Sequence, residues 1–224
     1  MKMLHFLTIS LALCTSLGAA AQGAPTAADK DEAYMKVVTE RAAKIVATLD
    51  IVDSAKLIRV RGIIAHQYRD LNAVHDARNV IVQELKEDSL GSKAATVKAV
   101  ENEATAKLYG LHCAYIGKLA SELSPEQVDK VKDGMTYGVA PLTYRVQCEM
   151  IPTLTDEQKR YVHAALTEAR EHAMDAESSN KKHEWFGKYK GRINNYLSAQ
   201  GYDLKKEREA WGDRGKQQGA AGQQ

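Results

Sequence analysis

Apolar residues recur along this chain at steps of three and four, the spacing that keeps them on one side of an α-helix. Tyr34, Val37, Val38, Ile45 and Leu49 form the first such stripe. A second runs through Leu57, Val60, Ile64, Tyr68, Leu71, Val74, Ile81 and Leu85, a long helix that Asp53 can cap and that only Gly62 interrupts. Ser92 opens a third, with Val97, Val100, Ala104, Leu108, Ile116 and Leu119. Val162, Ala165, Leu166, Ala169 and Ala173 make another, and Phe186, Tyr189, Ile193 and Leu197 the last. Strand-like alternation of useful length is missing. The pattern predicts an all-α, single-domain, multi-helix bundle.

The stops between stripes are also legible. Leu123-Ser124-Pro125-Glu126-Gln127 and Leu154-Thr155-Asp156-Glu157-Gln158 each place a hydroxyl three residues before a glutamine, the arrangement of a capping box. Gly134, Gly138, Pro141 and Pro152 break the helical period between them, so residues 137–153 are expected to be irregular. Gly201 suits the left-handed position that closes a helix. Beyond Trp211 the run GDRGKQQGAAGQQ has nothing to bury, and residues 212–224 are expected to be a disordered tail.

The N-terminus changes the compartment. Lys2, an apolar run from Met3 to Leu17 and Ala19-Ala20-Ala21 read as a signal peptide over residues 1–21, cleaved near Ala21. The all-α domain at 22–211 is then periplasmic or secreted. No later apolar run suits a bilayer span, so no membrane insertion is expected. A formal net charge of +2 is too small to argue for nucleic acid. In an oxidising compartment Cys113 and Cys148 would either form one disulfide, worth about 2–4 kcal/mol, or lie apart as two buried thiols.

Candidate chemistry gathers in two places. The stretch from Lys181 to Trp211 holds Trp185, Phe186, Tyr189, Tyr196 and Tyr202, interleaved with Lys182, Lys188, Lys190 and Arg192. Trp185 or Tyr189 could offer a flat face to a sugar ring, with Arg192, Asn194 and Asn195 supplying directional hydrogen bonds. Gly187 and Gly191 would admit a close approach. The bland alternative is that the rings plug the bundle and the lysines cover its outside.

The second place is His66 to Asn79 on the long helix, where Arg69 and Asn72 are further ligand-binding candidates. Asp–His pairs there can orient an imidazole, which makes His75, Asp76 and Asp70 the catalytic candidates. They serve equally as ion pairs on a helix surface. Glu168 and His172 are too few ligands for a metal, and no motif calls for a cofactor.

Three runs, EMIPTLTDEQK (149–159), AREHAMDAESS (169–179) and WFGKYKGRINNYLSAQGYDL (185–204), resemble a secreted, all-helical family of unknown function. RVRGIIAHQYRDLNAVHDARN (59–79) is similar too. That family is found with bacterial polysaccharide-utilisation genes, and sugar binding has been suggested for it. The resemblance implies a periplasmic carbohydrate-binding or accessory protein in plant-polysaccharide use, with an oligosaccharide or polysaccharide as partner. Acidic pectic fragments would suit its lysines and Arg192. The alternative within the same pathway is a polysaccharide lyase or glycoside hydrolase. The LSPEQ and LTDEQ runs also resemble boxes of small periplasmic helical chaperones, which sets a chaperone-like protein as a further alternative.

Overall fold

The computed structural model describes residues 26–87 and 93–221, and within them the chain forms eight α-helices and no strand. They are α1 (Ala27–Val46), α2 (Ser54–Glu87), α3 (Ala94–Ala120), α4 (Pro125–Met135), α5 (Val139–Met150), α6 (Asp156–Met174), α7 (Ser179–Ala199) and α8 (Leu204–Ala221). The all-α expectation holds. The proposed signal peptide and Ser92 lie outside the described residues. No described helix is long and apolar enough to cross a membrane.

Local chemistry sets most of the boundaries. Both capping boxes form: Ser124 accepts from Gln127 N and Thr155 from Gln158 N, while each glutamine returns a bond to the cap backbone. Asp53 Oδ1 accepts from Ala55 N at 2.8 Å at the start of α2. At the end of α7, Gly201 takes φ +92°, Tyr202 N reaches Leu197 O and Gly201 N reaches Ser198 O, which together close a Schellman motif.

Two sequence expectations need correction. Residues 137–153 are not broadly irregular, because Val139–Met150 is helical. Pro141 sits in the first turn of α5, where no intrahelical partner awaits its missing N–H. The irregularity is confined to the bend at Thr136–Gly138 and the link at Ile151–Thr155. At the other end, α8 continues past Trp211 to Ala221. Arg214 anchors that extension by donating to the carbonyls of Glu149 and Met150, both at 3.0 Å.

Packing divides the molecule into two hydrophobic clusters. In the first, Val38, Ala42, Ile45 and Leu49 of α1 and its C-terminal turn meet Val60 and Ile64 of α2, Tyr115 and Leu119 of α3, and Val131 and Met135 of α4. The second gathers Met150, Ile151, Val162, Leu166, Phe186, Tyr189, Ile193 and Leu197, with Trp211 packed against it. Fully burying one such side chain stabilises by about 1.5–3 kcal/mol, so these stripes hold the bundle together. Met174, the last residue of α6, belongs to the first cluster and so joins the two.

Helix α4 approaches α1 closely at Gly134, where an added Cβ would stand 2.9 Å from Ile45 Cγ1. Gly134→Ala is therefore expected to destabilise by about 1–3 kcal/mol despite the better helix propensity of alanine. Urea unfolding should show it as a lower midpoint at unchanged slope.

Cys113 and Cys148 are both free, the first exposed and the second half-buried. Among the described residues no group of three or more metal-ligating side chains is assembled.

Candidate functional site

The seam between the two clusters is also where polar groups concentrate. Helix α6 ends at Met174, and Asp175 to Ser178 lead into α7, capped by the Ser178 side chain on Lys181 N. This short link is tied down from two sides. His75 of α2 is buried and its Nε2 lies 2.7 Å from Asp175 O. A carbonyl only accepts, so Nε2 donates and carries a proton. The other ring nitrogen, Nδ1, is buried without a hydrogen-bond partner, 3.9 Å from Glu177 Oε2. On the other side, His112 Nδ1 of α3 pairs with Asp175 Oδ2 at 2.8 Å.

Next along the chain stands Lys182. It is 6 % exposed, and its Nζ donates to Met135 O at 3.1 Å and Met174 O at 3.3 Å. Those carbonyls end α4 and α6, so the ammonium caps two helix C-termini at once, where the macrodipoles favour a cation. No carboxylate pairs with it among the described residues. Burial pulls its pKa down to about 8. An ammonium has three donors, and the third has only the Tyr68 ring, centred 5.6 Å away, and an open hollow beside it.

That hollow has a volume of about 330 Å³. Tyr34, Arg41, Lys44 and Ile45 of α1 line it, with Tyr68, Leu71, Asn72 and His75 of α2, Tyr137 from the bend after α4, and Glu177 to Ser179 with Lys182 from the start of α7. Tyr34 Oη donates to Tyr68 O at 3.2 Å, and burial pushes the Tyr68 phenol up to about 12, so both rings stay neutral. Arg41 and Lys44 stand exposed at the mouth with no ion-pair partner among the described residues. Among the described residues the only acid lining the hollow is Glu177, and it is already engaged by Arg78 and by Asn79. The cavity thus presents an excess of cations and three tyrosine rings.

Tyr137 is held in a left-handed conformation, φ +60°, followed by Gly138 at φ +65°. A non-glycine residue pays about 1–2 kcal/mol there. Its ring is 57 % exposed and stacks on His183 at 5.8 Å, which does little for the core. Tyr137→Gly should raise the melting temperature by a few degrees, about 1 kcal/mol of stability, while weakening whatever the hollow binds. Parallel melting and titration of the variant measure both.

A second hollow of about 400 Å³ lies against the first, and the two share His75, Ala176 and Glu177. Arg78, Thr105, Leu108, Tyr109, His172, Asp175, Lys181 and Trp185 complete its lining.

The residues singled out from sequence are divided by the fold. Asn72 and His75 line the first hollow, and Trp185 and His75 the second, so the long helix and the start of the aromatic helix do meet at one place. Trp185 is half-buried, stacked on His172 at 4.4 Å, with Lys188 Nζ 4.9 Å from its ring centre. Tyr189 is buried in the second cluster, with Arg192 over its ring at 4.7 Å and 3.5 Å from Glu168. Asn194 edges a separate hollow with Leu142, Met150 and Trp211, and Asn195 is exposed. Arg69 pairs with Asp70, and Asp76 accepts from Asn72; Arg69, Asp70 and Asp76 line neither of the two adjoining hollows. Gly187 and Gly191 have open space around them, so no helix makes a close approach there.

Sequence reasoning missed Tyr34, Arg41, Lys44 and Tyr137 as site residues, and it named Lys182 among the basic residues of the aromatic helix without foreseeing that it is buried. One signal was available for Lys182: it stands four residues before Phe186 at the head of the buried stripe. For Arg41, no acid lies three or four residues away to pair with it on the helix.

Fold and site together define an all-α protein with a cationic, tyrosine-lined cavity at the junction of two helical clusters. The chain belongs to a family of proteins of unknown function, DUF3826, whose model matches residues 35–217. That match takes in every residue lining the two hollows except Tyr34. No curated protein matches the chain.

Proposed function

We propose that this protein is a carbohydrate-binding or accessory protein, exported from the cytoplasm and used in plant-polysaccharide breakdown, and that the Lys182 hollow holds the carboxylate of an acidic sugar. The observation that carries the reading is Lys182 itself. A buried ammonium is costly to desolvate unless paired, and this one has helix carbonyls but, among the described residues, no carboxylate within ion-pair distance. A ligand carboxylate would take the third N–H, with Arg41 and Lys44 supplying the attraction at the mouth. Tyr34, Tyr68 and Tyr137 suit the faces and hydroxyls of a pyranose.

Calorimetric titration with galacturonic acid oligosaccharides tests it. Binding is expected for the uronates and not for galactose oligomers of the same length. It should weaken as salt rises, because Arg41 and Lys44 are solvent-exposed. Equal affinity for charged and neutral sugars, or none for either, overturns the reading.

One observation favours a second reading, an enzyme of the same pathway. His75, which lines both hollows and whose Nδ1 is buried without a hydrogen-bond partner, stands where a general base would. A lyase would then release an unsaturated uronate from a pectic substrate, and His75→Ala would abolish that product. Purified protein inactive over a broad panel of uronates removes this reading and leaves the first untouched.

A further inference from the structure

The two adjoining hollows differ in charge balance, and the difference bears on what an extended ligand would look like. In the first, Arg41, Lys44 and Lys182 lack carboxylate partners among the described residues, and the single lining acid is taken. In the second, each lining Arg or Lys is matched: Arg78 by Glu177 and Lys181 by Glu184 at 2.8 Å. An additional anion gains little there, because Asp175 is likewise matched, by His112 at 2.8 Å. What the second hollow offers instead is apolar and aromatic surface from Leu108, Tyr109 and Trp185. Tyr109 is 70 % exposed, which leaves its ring free for a ligand.

The hollows meet at His75, Ala176 and Glu177. Of these, Ala176 is small, and Arg78 and Asn79 hold the Glu177 carboxylate in place. Each hollow is near the lower end of the about 300–1,000 Å³ typical of small-molecule sites, and together they match a ligand of more than one ring.

We infer that the two hollows are consecutive subsites for one oligosaccharide in which an acidic residue is linked to a neutral one. The acidic unit occupies the Lys182 side and its neutral neighbour lies across Ala176 against Trp185 and Tyr109. This rests on the acidic-sugar reading above and adds a ligand length and an order of charge to it. A homopolymer of uronic acid would place its second carboxylate among charges that are already matched, where it loses hydration without gaining a free cation, and a neutral second residue avoids that cost.

The test is a titration of the full chain with three probes: galacturonic acid, digalacturonic acid, and a disaccharide of galacturonic acid and rhamnose. The mixed disaccharide is expected to bind about tenfold more tightly than the monosaccharide, the gain that one well-packed ring contact brings. Digalacturonic acid should fall short of it. In Trp185→Ala and, separately, in Tyr109→Ala, the ratio of mixed disaccharide to monosaccharide affinity should collapse toward one. Tyr109 is exposed, so its variant remains informative even where loss of Trp185 disturbs folding. A monosaccharide that binds as well as either disaccharide overturns the two-subsite inference while leaving the acidic-sugar reading in place. So does a ratio indifferent to Trp185 and Tyr109. Failure of all three probes overturns both.

Discussion

Lys182→Met is expected to weaken binding of an acidic sugar by at least about a hundredfold while changing folding stability by no more than about 2 kcal/mol. The affinity loss follows from removing the buried member of a charge pair, which typically costs 2–5 kcal/mol. The stability change is the balance of two opposed effects. Methionine leaves Met135 O and Met174 O without their donor, a cost of about 1–3 kcal/mol. It also removes an ammonium whose pKa burial has lowered from 10.5 to about 8. Between pH 8 and 10.5 the unfolded chain holds more protons at this lysine than the native one, so its contribution to stability rises with pH through that window. The wild type should therefore gain on the variant as pH climbs from 8 to 10.5, as denaturant melts across that range would show. A variant that binds acidic sugars as the wild type does would reduce Lys182 to a cap on α4 and α6.

Arg170→Met is expected to be the most destabilising single change in the molecule, at about 3–5 kcal/mol. Arg170 is buried on α6 and donates to Asp129 at 2.6 Å and Asp133 at 2.8 Å, with Glu171 3.5 Å away. Around it Lys132 holds Glu171 at 3.0 Å, and His112 bridges Glu171 at 3.5 Å and Asp175 at 2.8 Å. Without the guanidinium, half-buried Asp133 and Glu171 face one another across α4 and α6, and exposed Asp129 loses its partner.

The same network sets a pH profile. Hydrogen bonds to Asp175 and Glu171 lift His112 from 6.5 to about 10. Its stabilisation is thus complete below pH 6.5 and lost as pH rises toward 10. Burial would push Glu171 up, but hydrogen bonds from His112 and Lys132 overrule it and hold the carboxyl at about 2. That contribution is complete above pH 4.5 and lost as pH falls toward 2. Above pH 8 the fall from His112 meets the rise from Lys182. His112→Phe should remove the first alone, leaving a chain whose stability climbs with pH where the wild type changes little. A variant that keeps the wild-type basic limb would contradict the assignment.

The helices were legible because their signals are local. Each apolar stripe is read from residues three and four apart, and the Ser124 and Thr155 boxes are complete within five residues. Residues 137–153 were misread because Gly138 and Pro141 break a period without saying which side of the break is helical. The tail after Trp211 was misread because Arg214 is held by carbonyls of Glu149 and Met150, far off in sequence. The site was the least legible part for the same reason. Lys182 is recognisable as a buried cation only once the ends of α4 and α6 are known to converge on it. Arg41 and Lys44 look like ordinary solvated charges until Tyr68 and Tyr137 are placed opposite. The aromatic run that drew attention first divides between core (Phe186, Tyr189) and cavity edge (Trp185), a split that helical spacing alone does not assign.

Because Lys182, carried on α7, fastens onto the ends of α4 and α6, the hollow beside it belongs to neither half alone. A bound molecule would act as a rivet through two plates, and its grip would be felt as shared rigidity. With the hollow filled, amide exchange on the α1–α3 side and on the α6–α8 side is expected to slow together.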